Sequence, residues 1–217
     1  MSRKLQLLAV AALASIGIWQ LGSGIQIHAR AWLGQILLER AWASQTESAE
    51  PVRPWPGAET WPVARLQVPE LDVERMVLEG SDGPSLAWGP GRLAGSAPIN
   101  GPGHLVLAAH RDTHFRFLKD LQPDNRLVLT TPGGQARSWR VEATSVVDSR
   151  TTVLDLGLQE DRLTLVTCYP FDSPVSGGPL RFVVHLYPES GAIDAPERTP
   201  RFVPKPADSG RPEKIIL

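Results

Sequence analysis

The stretch LTLVTCYPFDSPVSGGPLRFVVHLYP, residues 163–188, sets two short apolar runs on either side of a loop rich in proline and glycine. Runs of this length, bounded by turn residues, read as strands joined by a hairpin-like return. Cys168, the single cysteine of the chain, stands where the first run ends, and Arg181 opens the second. Outward from this pair the same pattern recurs. VARLQV (63–68), DVERMVL (72–78), HLVLAA (104–109), RLVLT (126–130) and SWRVEATSVV (138–147) join RLTLVT and LRFVVHLY to make seven candidate strands. The segments between them hold short helical turns and no long helix, which predicts an all-β barrel or sandwich.

The chain has 217 residues, room for one domain with appendages. Its net charge of −1 lacks the basic excess of a nucleic-acid-binding protein. One cysteine excludes an intramolecular disulfide and a CxxC zinc site. At the N-terminus, MSRK precedes 25 residues, Leu5 to Ala29, without Asp, Glu, Lys or Arg. The segment predicts a membrane span over 1–28, with Arg3 and Lys4 keeping the N-terminus in the cytoplasm. A cleaved signal and a buried helix are the alternatives. Residues 29–61 read as a stalk helix, with its apolar side on lipid or on the domain, and a proline-punctuated linker. The strand region spans 62–188, and 189–217 reads as a flexible tail rich in proline and charge.

Free cysteine is usually a small buried hydrophobe. Here it ends its run, on a segment expected to face an oxidising compartment, where an idle thiol is a liability. Thiol attack on a carbonyl proceeds through the thiolate, which needs an imidazole or a positive charge nearby. His28 lies at the membrane boundary, and His104 begins a strand at the end opposite His110. His114 sits in the following loop. His185 shares a face with Arg181 at a distance of about 13 Å along the strand. His110, closing HLVLAAH, is the best partner. Arg181 is a candidate to meet the negative oxygen of a tetrahedral intermediate. The run His110–Arg111–Asp112 invites a kinase reading, but position 117 is phenylalanine rather than asparagine and no glycine-rich loop precedes it. Asp148, Asp155, Glu160 and Asp161 form no recognisable calcium-ligand pattern, so no metal or other cofactor is expected.

TLVTC at 164–168 resembles the TLxTC signature of sortases, the membrane-anchored cysteine transpeptidases of bacteria. Histidine upstream, cysteine at a strand end and arginine at the next strand start follow the same order. LAAHRDTHF and TCYPFD are most similar to the class found in Gram-negative bacteria. The resemblance covers roughly residues 62–188. It implies a closed eight-stranded β-barrel, with the eighth strand in TTVLDL or between 83 and 99. It implies Cys168 as nucleophile, His110 as general acid/base and Arg181 on substrate or oxyanion. Thr167 would line the peptide groove, and Asp112 is a candidate for orienting the imidazole. The implied partners are a secreted protein with a C-terminal signal like Leu-Pro-x-Thr-Gly, an amine acceptor at the cell surface, and membrane lipid around the N-terminal helix. The implied address is a single-pass cytoplasmic (inner) membrane protein with its catalytic domain outside, in the periplasm. A cysteine hydrolase on the same barrel, and a non-catalytic tethered barrel, are the competing readings. An L,D-transpeptidase would place His, Gly and Arg close around the cysteine, and VTCYPF has none of them.

Overall fold

Alternation of buried and half-buried residues organises the chain from Pro62 onward, with Ala64, Leu66 and Val68 of the first strand fully buried between partly exposed neighbours. A computed structural model describes residues 3–48, 50–157, 160–174, 177–189 and 203–204. The strands are β1 (Pro62–Val68), β2 (Val73–Glu79), β3 (Gly91–Arg92), β4 (His104–Ala108), β5 (Arg126–Thr130), β6 (Ala136–Asp148), β7 (Thr152–Val153), β8 (Arg162–Cys168), β9 (Leu180–Pro188) and β10 (Val203–Pro204). Eight of them close a barrel in the order β1-β2-β3-β4-β8-β9-β6-β5, which removes the open edge from that sheet. All seven expected strands form. The eighth is Gly91–Arg92, within the 83–99 segment, while Thr152–Val153 of TTVLDL instead pairs with β10 in a separate two-stranded sheet. Val203–Pro204 thus carries strand pairing inside the expected tail, most of which lies outside the described residues.

Period-two patterning fills the interior. Leu105, Leu107, Leu163, Leu165, Val184, Leu186 and Trp139 point inward and join one apolar cluster with Leu66, Leu127, Leu129 and Phe115. β4 is buried along its whole length because its outward Val106 is also covered, by a second cluster with Val166 and Val183. Leu154 and Leu156, from the connection between β6 and β8, lie on that outer patch.

Arg3–Ser48 forms one continuous helix, α1. Gly34, Leu38, Ala41 and Gln45 repeat at helical spacing and are buried, so the expected stalk helix packs on the barrel. Leu38 joins Met76 and Leu78 of β2, ringed by Trp42, Trp55 and Trp88. Gly34 is where the close approach requires glycine, because a Cβ there would lie 2.0 Å from the Trp88 ring. A membrane span over 1–28 has no support in the structure: among the described residues no helix is long and apolar enough to cross a membrane. The apolar run from Leu5 to Ile18 is thinned beyond it by Gln20, Gly22, Ser23, Gly24, Gln26 and His28.

At the far end of the barrel from Cys168, His104 is buried with Nδ1 against the Asp155 carbonyl and Nε2 against the Thr164 hydroxyl, both at 2.7 Å. Thr164 also meets His185 Nδ1 at 3.4 Å. Burial, the Arg162 charge and His104 hold His185 down to about 4. Burial likewise lowers His104, against the opposing pull of the Asp155 carbonyl. A neutral buried histidine stabilises the fold fully above its unfolded pKa of about 6.5, and that stability drains as pH falls toward the folded value. His185 alone accounts for on the order of 3 kcal/mol of stability lost between about pH 6.5 and 4. Urea midpoints should therefore fall steeply from pH 7.5 to 4.5, and His185→Gln should flatten that slope; an equally steep slope in the variant contradicts this origin.

Candidate active site

Strand polarity brings three distant segments to one rim. β4 and β8 pair in parallel, so both end at the same rim, and β9, antiparallel to β8, begins there. Cys168 pairs directly with Arg181. On the other side Ala108 pairs with Val166, and the Ala109 amide donates to the Val166 carbonyl at 3.2 Å. The paired register ends at Ala108, two residues before His110, so His110 opens the loop at the rim where Cys168 ends β8. Residues in register on neighbouring strands share a face. Cys168 and Arg181 therefore form the first row on the outer face of the barrel, with His110 in the loop at the same rim, followed by Ala108, Val166 and Val183, then Val106, Thr164 and His185. His104 and His185 belong to the lower rows and do not join the thiol.

Exposure differs along the row. His110 is exposed, Cys168 half-buried and Arg181 only 7% exposed. The Arg181 guanidinium donates through Nη1 to the carbonyls of Gly178 at 2.6 Å and Leu180 at 3.0 Å, in the loop returning from Cys168. Tyr169, Phe171 and Phe182 pack together beside the thiol strand, with the Phe171 and Phe182 rings 5.1 Å apart.

Thr167 bonds the Ala109 carbonyl, and Asp112 bonds Arg111 while standing in electrostatic contact with His110. Period two turns Thr167 away from Cys168, into the barrel; it has no exposed surface, and its hydroxyl donates to the Ala109 carbonyl at 2.7 Å. It ties β4 to β8 one residue before both His110 and Cys168. Asp112 accepts from Arg111 through both oxygens, at 2.8 and 3.0 Å, and that bond holds its carboxyl below the usual range. Arg111, between His110 and Asp112 in sequence and only 5% exposed, is the residue that sequence reading passed over. The HRD run was its only signal there, and spacing says nothing of burial.

A cleft of about 390 Å³ between α1, β2 and the loop after His110 is lined by Gln35, Glu39, Arg75, Trp88, Thr113 and His114 among others. Burial holds His114 below its ordinary value. Among the described residues no cluster of three or more His, Cys, Asp or Glu side chains forms a metal site.

Residues 66–189, more than half of the chain, match the Sortase domain family. Sortase D of Bacillus subtilis (strain 168) is 32% identical over 121 residues, covering 55% of this chain and 60% of that protein. The chain thus spans less than two thirds of this relative's length. Among solved structures, sortase C-1 from Actinomyces oris is 26% identical with a TM-score of 0.51, covering 59% of this chain and 75% of its own. Sortase A from Corynebacterium diphtheriae is 24% identical with a TM-score of 0.54 over 74% of this chain and 86% of its own. A Clostridium perfringens Sortase D5 transpeptidase is 18% identical at 0.54, covering 73% of this chain and 99% of its own. The chain belongs to the sortase family. These relatives do not show the Gram-negative class.

The Thr167 hydroxyl ties β8 to the end of β4 one residue before Cys168. Thr167→Val leaves the Ala109 carbonyl unpaired and should cost about 1–2 kcal/mol in urea unfolding. The same variant should slow Cys168 acylation several-fold with little change in peptide KM, and Thr167→Ser should restore both. A rise in KM alone would instead mark a groove residue.

Proposed function

We propose that this chain is a cysteine transpeptidase that cleaves a C-terminal sorting signal and joins the target protein to an amine at the cell surface. This reading is supported by the pairing of Cys168 with Arg181 at the rim where β4 ends two residues before His110, in a member of the sortase family. Cys168, as thiolate, attacks a backbone carbonyl of the signal, forming a C–S bond while the carbonyl oxygen takes the negative charge. Arg181 offers its guanidinium to that oxygen or to the neighbouring peptide carbonyl. Collapse breaks the C–N bond, and the leaving amine takes a proton from the His110 imidazolium. The acceptor amine then gives a proton to neutral His110, adds to the thioester carbonyl and releases the sulfur, which closes the cycle. This route asks for no cofactor.

The signal resembles Leu-Pro-x-Thr-Gly, by family resemblance. The Gram-negative class rests on LAAHRDTHF and TCYPFD. In this reading residues 62–188 are the catalytic unit, 29–61 lead into it and 189–217 trail it. Membrane attachment through residues 1–28, N-terminus inside and barrel outside, rests on the charge-free run after Arg3 and Lys4. Membranes washed in alkaline carbonate should retain the full chain and not residues 50–217; release of the full chain overturns the anchor.

The chemistry is tested by incubating the protein with signal peptides, trapping the thioester on Cys168 by mass spectrometry, then adding amines. Cys168→Ala should abolish the adduct, and His110→Ala should slow its formation by about 10²-fold or more. Cleavage that persists in Cys168→Ala removes the nucleophile assignment. Peptide release indifferent to added amine makes the protein a hydrolase instead.

A further inference from the structure

We infer that Arg111 is a positioning residue for the nucleophile, a clamp that locks the loop following His110 to the loop following Cys168. The inference rests on the proposed role of Cys168 as nucleophile. Nη1 of Arg111 donates to the Pro170 carbonyl at 2.5 Å and Nη2 to the Ser173 carbonyl at 3.0 Å, two and five residues beyond the thiol. Nε and Nη2 grip both oxygens of Asp112 at 2.8 and 3.0 Å. Burying a guanidinium is costly unless its donors are satisfied, and here Nε, Nη1 and Nη2 each have an acceptor. Three acceptor groups spread around one plane suit the rigid fork of arginine, which a lysine ammonium cannot reproduce.

The clamp differs from Arg181 in what it holds. Arg181 grips the same loop at Gly178 and Leu180, its far end, whereas Arg111 grips it directly after the thiol. Arg111 also spans two chain segments, so the spacing of His110 from Cys168 is set from above by its guanidinium and from below by the Thr167–Ala109 bond. The charged groups in electrostatic contact with Arg111 are Asp112, Asp172 and the Cys168 sulfur, while Arg116 and His110 act on Asp112. Asp112, 61% exposed, sets the opposite charge beside that guanidinium.

Alkylation of Cys168 by iodoacetamide at pH 7 tests the clamp without any sorting peptide, alongside kcat and KM for peptide cleavage. Arg111→Met should slow alkylation about five- to tenfold and lower kcat at least as much, with KM changed little. Asp112→Asn, which removes the opposing charge, should speed alkylation. Arg111→Lys keeps the charge without the fork, so alkylation should stay near wild type while kcat remains several-fold low. A merely structural arginine predicts lower thermal stability with alkylation unmoved, and folded Arg111→Met with wild-type alkylation and kcat overturns the inference. Should Arg111→Met fail to fold, a wild-type kcat in Arg111→Lys overturns it just as well. A wild-type protein that forms no acyl-enzyme, but whose alkylation still responds to Arg111, sinks the proposed reaction and leaves the clamp standing.

Discussion

The parallel pairing of β4 with β8 is the constraint on which the site depends. Parallel neighbours end at the same rim, so a loop that opens after Ala108 and a strand that finishes at Cys168 must meet there. The pairing joins residues nearly sixty positions apart in sequence, and it is anchored at its end by a buried hydroxyl–carbonyl bond from Thr167 to Ala109. Had β4 run antiparallel, His104 rather than His110 would stand at the thiol rim. The parallel arrangement instead sends His104 to the far end, where it is buried and held neutral with His185.

Once that rim exists, the outer face of β4, β8 and β9 becomes a graded surface. The Cys168–Arg181 pair at the rim gives way to an apolar patch of Val106, Val166 and Val183, and then to a polar network of Thr164, His185 and His104. Leu154 and Leu156 from the β6–β8 connection cover the apolar patch. The chemistry is thus held at the edge of a surface whose lower part is already packed, while the loop above it is gripped by arginines at both of its ends.

Several features were legible in sequence because they are local. The seven longer strands follow from apolar runs cut by turn residues, and Cys168 and Arg181 are visible as strand ends because proline and glycine interrupt the runs there. The two-residue β3 was not, since Gly91–Arg92 carries no periodicity and exists only because β2 and β4 offer it hydrogen bonds. For Thr167 a local argument, adjacency to Cys168, suggests the groove, while period two turns its side chain to the opposite face, onto the Ala109 carbonyl. Arg111 was hidden for a different reason, because an arginine in a polar loop reads as solvated until three acceptor groups from two segments are seen around it. In the N-terminal segment the absence of charge reads as a membrane span, whereas among the described residues no helix is long and apolar enough to cross a membrane.

By itself the sequence determined the class of secondary structure, the strand ends that carry the thiol and the imidazole, and the residue types able to do acyl transfer. These depend on composition and on a period of two, both written within a few residues. Only the tertiary structure decided which histidine lies at the rim of the thiol, which arginine holds which end of the loop, and where α1 rests. Those outcomes turn on strand direction and register, which are set by pairing across the whole barrel and leave no mark on any single strand.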